Sequence, residues 1–302
     1  MTDRTQSVKL NNVKSYDCKV TIGVPQGTIL GPLLLILYIN ELLKLLSTNI
    51  ISYADDMVIV HSGNSWNEVQ SSMNGSLSIV GECLASNQLS LNISKTVYMA
   101  FSSRKNNIPN NLKIQINGNK LNSVDYYKYL GVTFDSLMKW EKHIKHLTKT
   151  RYLIFVMNKL KYQLLPTTLV SIYYALFNSI ASYGIVAWGG TYKKYIKPIN
   201  SIQKRLSKII DKSTDKKLLN IKETFIINSI SCYHKNLRIQ YINNSSNTRY
   251  KLIKLPKIKK SIGANRSHIT AIRYFNKLPK QLKTIETSSK NLKNKITRAL
   301  FH

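Results

Sequence analysis

The sequence predicts an α+β fold, with an antiparallel sheet and packed helices over residues 1–138 followed by a helical region. Three observations predict it. Short apolar runs separated by Gly, Asn and Asp turns dominate up to Phe134, whereas helix-period stretches at roughly 141–163, 167–187 and 194–211 replace them after Trp140. The charge divides in the same way. Residues 1–100 hold 6 Lys/Arg and 7 Asp/Glu, which leaves 39 and 7 for the remainder of a chain whose net charge is +31.

Residues 8–22 alternate as two short strands around Asn11-Asn12 and lead into a turn from Gly23 to Gly27. Pro32 suits the first turn of a helix, and the following Leu33 to Tyr38 are apolar on every side, so this helix is expected to be buried. Ile50-Ile51 and Met57 to Val60 read as two strands joined by a tight turn at Tyr53-Ala54-Asp55-Asp56. Ser65-Trp66-Asn67-Glu68 is a capping box, and Val69, Met73, Leu77, Val80 and Leu84 continue at helical spacing. Strands resume at Val97 to Phe101, Lys113 to Gly118 reads as a hairpin with an Asn-Gly turn, and a further strand covers Tyr126 to Phe134. Pro166 and Gly189-Gly190 punctuate the helices beyond. Domain boundaries are placed to give 1–138, 139–212 and a basic region 213–302, whose last 54 residues carry 15 Lys/Arg and one acid.

So basic a second half attracts polyanions, of which nucleic acid is the foremost, with a solvated lysine surface or acidic lipid as alternatives. Cys18, Cys83 and Cys232 are odd in number and far apart, which supports neither a disulfide framework nor a zinc knuckle and suits an intracellular protein. The longest apolar stretch, Ile29 to Ile39, is broken by Gly31-Pro32 and falls short of the roughly 20 residues that a membrane span needs, so no membrane partner is expected.

The chemistry centres on Asp55 and Asp56. Two adjacent carboxylates at a hairpin tip suit Mg²⁺, which takes one or two carboxylates together with the phosphates of its substrate, and this points to phosphoryl or nucleotidyl transfer. Taken alone, the same four residues read more often as a solvated hairpin tip. The segment Gly23-Val24-Pro25-Gln26-Gly27 offers backbone amides and a short amide side chain ahead of a helix, and as a lone motif it is an ordinary loop. Lys95, after Leu89-Ser90-Leu91-Asn92, is a candidate electrostatic stabiliser or general acid for a leaving group.

These blocks, with Tyr127-Lys128-Tyr129-Leu130-Gly131-Val132 after them, closely resemble in order and spacing the palm of reverse transcriptases, in particular those of non-LTR, jockey-type retrotransposons. The resemblance implies a partial right-hand polymerase palm, then a helical thumb-like region and a C-terminal region. It implies two-metal nucleotidyl transfer with Mg²⁺ on Asp55 and Asp56, and Tyr53 near the primer end or incoming nucleotide. Pro25, Gln26 and Gly27 would lie along the nucleotide and template, Lys95 at the leaving pyrophosphate, and Tyr129, Leu130 and Gly131 in the primer grip. The implied partners are an RNA template, a DNA primer and deoxynucleoside triphosphates, and the implied place of action is the nucleus. Tyr183-Gly184, Ala187-Trp188-Gly189, Ile202 to Arg205 and Asn276-Lys277-Leu278-Pro279 extend the resemblance, with Phe275 and Asn40-Glu41 as departures from the family's more usual residues.

A third metal-binding aspartate is expected on a strand several tens of residues before the Pro-Gln-Gly block. Only 22 residues precede Gly23, and their two acids, Asp3 and Asp17, lie in no such setting. The expectation is therefore a chain truncated at its N-terminus, inactive by itself as a polymerase, with the missing part of the element protein as a further partner. The alternative is a non-catalytic, basic nucleic-acid-binding remnant. A group II intron or telomerase-type polymerase fits the tail less well.

Overall fold

A computed structural model of the chain describes residues 4–20, 23, 27–46, 49–102, 107–109, 112–211, 218–243, 252–257, 265–285 and 292–301. Its contacts divide it into two units, one ending at Val124 and the other beginning at Asp125.

In the first unit, β1 (Arg4–Gln6) is separated from its partner by a smaller hairpin, β2 (Lys9–Leu10) and β3 (Val13–Lys14), before the chain returns as β4 (Cys18–Val20). Asn11 turns the inner hairpin at φ 53, a left-handed value that Asn tolerates better than most residues. Helix α1 (Leu30–Leu45) follows, then the hairpin of β5 (Asn49–Tyr53) and β6 (Asp56–Val60), then α2 (Trp66–Ser86). The capping box forms in part: Ser65 Oγ accepts the Glu68 N–H, while the Glu68 carboxylate accepts the N–H of Asn64 rather than that of Ser65. Strand β7 (Val97–Tyr98) precedes the hairpin of β8 (Gln115–Ile116) and β9 (Asn119–Lys120), which turns on Asn117 and Gly118 at φ 48 and 75. Strand β10 (Asn122–Ser123) then pairs parallel to β7.

The unit's core is built from α1, α2 and the segments around β5 to β9, without β1–β4. Leu42 and Leu46 of α1 and its end, Leu77, Val80 and Cys83 of α2, and Ile114, Ile116 and Leu121 are buried together, with Ile50, Met57 and Ile59 of the carboxylate hairpin packed on them. Two expectations are corrected here. The described strands pair as separate two-stranded ladders, not as one continuous antiparallel sheet. A hairpin closes through its own turn, whereas a third strand must be recruited over a long loop, and strands of two to five residues offer few ladder bonds in return. Helix α1 is likewise not buried: among its own residues only Leu42 is, and Leu30, Leu33, Ile36 and Leu37 are all more than half exposed. An all-round apolar helix needs neighbours on every side, and this unit packs α1 only towards its C-terminal end.

The second unit opens with a hairpin where one strand is expected: β11 (Tyr126–Tyr129) and β12 (Val132–Asp135) pair across a two-residue turn at Leu130-Gly131. Then come α3 (Glu141–Leu147), a 3₁₀ turn (Thr148–Arg151) and α4 (Tyr152–Leu160). Helix α5 (Pro166–Ile172), with Pro166 in its first turn, runs through a π-helical stretch (Tyr173–Asn178) into α6 (Ser179–Ser182). Helices α7 (Ile185–Trp188), α8 (Lys193–Asp211) and α9 (Ile221–Asn243) complete the first part. The last part holds α10 (Ser267–Phe275), α11 (Lys280–Thr284) and α12 (Leu292–Phe301).

Two cores fill this unit. One gathers Ile144, Leu153, Met157, Leu169, Tyr173, Phe177, Trp188, Ile199, Leu206 and Phe225; the other gathers Ile230, Leu237, Phe275, Leu278, Leu292 and Ile296 around α9. Gln203 is the polar pin of the first. Its Oε1 accepts the Ile221 N–H at 2.8 Å, and its Nε2 donates to the Tyr173 hydroxyl and the Leu219 carbonyl, both at 2.9 Å. Asn276 does the same in the second, giving and taking one hydrogen bond with the backbone of Ile253. Gln203, buried and satisfied in this way, avoids the 1–3 kcal/mol or so that an unmatched polar group costs. The class is thus mixed α+β, and no described helix is long and apolar enough to cross a membrane.

Candidate active site

The carboxylate pair sits where strand periodicity puts it. The ladder aligns Ile50 with Ile59 and Ser52 with Met57 on the core side, which leaves Ile51, Tyr53, Asp56 and Val58 on the opposite face. Tyr53 pairs with Asp56, so Ala54 and Asp55 form the two-residue turn, with Ala54 at φ 53. Tyr53, Asp55 and Asp56 are all exposed. The hairpin is anchored by its apolar side and presents two adjacent carboxylates to solvent. This donor set fits Mg²⁺, which completes its octahedron with water and substrate oxygens. Among the described residues no group of three or more His, Cys, Asp or Glu is placed to hold a metal, and Asp55 and Asp56 are the two carboxylates at the hairpin tip.

Lys95 is exposed in a turn organised by Asn92. The Asn92 Oδ1 accepts the Ser94 hydroxyl at 2.7 Å and the Lys95 N–H at 3.2 Å, and the Asn92 carbonyl accepts the Thr96 hydroxyl at 2.9 Å. Gly27 stands at φ 79, and Thr28 Oγ1 accepts the Gly31 N–H at 3.2 Å at the head of α1. Pro25 and Gln26 lie outside the described residues.

In the second unit, Leu130 and Gly131 both take positive φ, 44 and 82, the signature of a tight primed hairpin turn. Tyr183 caps it: its hydroxyl donates to the Leu130 carbonyl at 2.7 Å, and a Cβ on Gly131 would stand 3.2 Å from the Tyr183 ring. Below the turn is a support that reading the sequence missed. The buried Asp135 carboxylate accepts the backbone N–H groups of Leu137, Lys139 and Trp140, the last at 2.6 Å. Trp140 packs on Phe134, and His143 lies edge-on between Trp140 and Trp188. The His143 Nδ1 accepts the Thr133 N–H at 3.3 Å, and burial, with a smaller contribution from His146, lowers its pKa to about 4, so the ring is neutral at pH 7. The available signal was an Asp five residues before a Trp, in a loop entering a helix; that pattern is a backbone-capping carboxylate.

Residues 3–134 match the family model described as "Reverse transcriptase (RNA-dependent DNA polymerase)". The chain is 28% identical over 225 residues to the probable RNA-directed DNA polymerase from transposon BS of Drosophila melanogaster, covering 69% of this chain and 24% of that protein. It is 24% identical over 217 residues to the RNA-directed DNA polymerase from mobile element jockey of the same species, covering 67% and 23%. Over 131 residues it is 32% identical to the retrovirus-related Pol polyprotein from type-1 retrotransposable element R1 of Nasonia vitripennis, covering 41% and 39%. Residues 3–134 are thus similar to reverse transcriptases, and the relatives named come from transposable elements. The chain spans about a quarter of the length of the first two relatives. No solved structure matches it. The matched segment contains the carboxylate hairpin, Gly27, Lys95 and the Leu130-Gly131 turn.

Proposed function

We propose that this chain is the part of an RNA-directed DNA polymerase that carries the metal-binding hairpin of a palm, a helical thumb-like region and a basic C-terminal region. The observation that carries the reading is the exposed Asp55-Asp56 pair on a hairpin packed against a core, within the segment matched to reverse transcriptases. Bound there, Mg²⁺ supplies the Lewis acidity that makes a primer 3′-hydroxyl a better nucleophile and offsets the triphosphate charge. Asp55 is the direct ligand and Asp56 its support. Tyr53, on the same face of the hairpin as Asp56, orients the incoming deoxynucleoside triphosphate or the primer end. Lys95 stabilises the leaving pyrophosphate, Pro25, Gln26 and Gly27 line the nucleotide and template, and Tyr129, Leu130 and Gly131 grip the primer strand. Action on target DNA puts the working protein in the nucleus.

A second reading is a nucleic-acid-binding chain without catalysis, which the excess of 35 Lys/Arg over 7 acids in residues 125–302 supports. Primer extension on an RNA template with Mg²⁺, by the 302-residue chain and its Asp55→Asn variant, separates the two. Extension by the chain alone is expected to be weak or nil. Extension that the variant abolishes establishes a self-sufficient polymerase. Extension that survives in the variant removes Asp55 from the chemistry and overturns the assignment.

A further inference from the structure

The outer face of the α3–α4 segment carries a pattern that the core does not use. Leu153 and Met157 of α4 are buried, and the opposite side presents Tyr152, Phe155 and Lys159, with Tyr162 in the turn that ends the helix. These positions are spaced 3, 4 and 3 residues apart, so they share one stripe. Lys149, in the 3₁₀ turn before α4, and Lys145, in the last turn of α3, are exposed as well. Tyr152, Phe155 and Tyr162 are 60%, 64% and 83% exposed. Single exposed rings are common, but three on one face are not accounted for by folding.

The cations stand over the rings. Lys159 Nζ lies 4.7 Å from the Phe155 centroid, and Lys161 Nζ lies 4.7 Å from that of Tyr162. No carboxylate occurs in the sequence from Lys142 to Ile210, a stretch with 12 Lys/Arg. An apolar protein partner would leave these lysines desolvated and unmatched. A polyanion with flat, stackable faces satisfies both halves of the pattern.

We propose that this stripe is a binding platform for single-stranded nucleic acid, in which bases stack on Tyr152, Phe155 and Tyr162 while Lys145, Lys149 and Lys159 neutralise the phosphates between them. From Tyr152 to Leu160 the helix rises about 12 Å, the length of roughly three to four stacked nucleotides, and Tyr162 follows in the closing turn. The platform rests on the nucleic-acid part of the function proposed above and is independent of the carboxylate chemistry.

The test uses the full chain, a 12-nucleotide oligothymidylate and a blunt hairpin duplex of equal charge. In the Phe155→Trp variant, tryptophan emission beyond that of the parent chain is expected to be quenched by the oligothymidylate and not by the duplex. The Tyr152→Ala/Phe155→Ala/Tyr162→Ala variant is expected to bind the single strand at least about tenfold more weakly, with an unchanged salt slope. The Lys145→Gln/Lys149→Gln/Lys159→Gln variant is expected to lose about 0.7 of that slope per lysine. All these residues are exposed, and circular dichroism checks that the variants fold. Salt-sensitive binding that ignores the rings, or quenching by duplex and single strand alike, overturns the platform while leaving the nucleic-acid reading in place. No binding by the parent chain overturns both. Self-association that vanishes with the rings while strand binding persists identifies the face as a contact between copies and also overturns the proposal.

Discussion

Leu130 is the residue least suited to its backbone. It holds φ 44 in the first position of a primed turn, where a side chain other than Asn, Asp or Gly costs about 1–2 kcal/mol. Leu130→Asn keeps the carbonyl that Tyr183 binds and should raise the melting temperature of the second unit by about 2–4 °C, read by thermal unfolding. His143 gives the chain a pH dependence. Its folded pKa, about 4, lies below the ordinary 6.5, so the unfolded chain takes up the proton first as pH falls. The stability it contributes is complete above pH 6.5, declines between 6.5 and about 4, and totals up to roughly 3 kcal/mol. His234, lowered mainly by burial, acts in the same direction. His143→Gln retains an acceptor for the Thr133 N–H without titrating, and denaturant unfolding at pH 7 and pH 4.5 should show a smaller loss in the variant than in the parent.

Among the elements, α1 and α7 mark opposite extremes of packing. Helix α1 leaves Leu33, Ile36 and Leu37 more than half exposed. Replacing Ile36 and Leu37 by Gln removes apolar area that folding within this unit does not bury. It should reduce aggregation in light scattering while moving the melting temperature by no more than a degree or two. A fall of several degrees would mean that the face is covered. After α7, by contrast, Gly190 admits no side chain, because its Cβ would stand 2.0 Å from the Asn265 carbonyl oxygen. Gly190→Ala must push the backbone of 265 away from α7 and should cost about 1–3 kcal/mol by denaturant unfolding. The capping box, the Asn117-Gly118 turn and the helix breaks at Pro166 and Gly189-Gly190 were legible because each is a local signal. The hairpin within 126–135 was read as one strand, since its Leu-Gly turn lacks the Asn or Asp that usually announces one.

For the whole molecule, charge is the main asymmetry. Residues 1–124 hold 10 Lys/Arg and 7 acids, and residues 125–302 hold 35 and 7. Binding to single-stranded RNA should therefore weaken steeply with salt, the logarithm of affinity falling linearly with the logarithm of salt concentration at about 0.7 per phosphate neutralised. Titrations between 50 and 200 mM salt check this, and a flat response would remove the nucleic-acid role from the basic half. The sequence alone determined the resemblance to reverse transcriptases, the two carboxylates, their place at a hairpin tip and the charge division, because each resides in residue identity or in spacing over a few positions. Only the tertiary structure decided that α1 stays exposed, that the strands close as separate hairpins, that Asp135 and His143 brace the Leu130-Gly131 turn, and that three rings and Lys159 share one outer face. Burial and juxtaposition depend on which distant elements pack on a given face, and no local pattern encodes that choice.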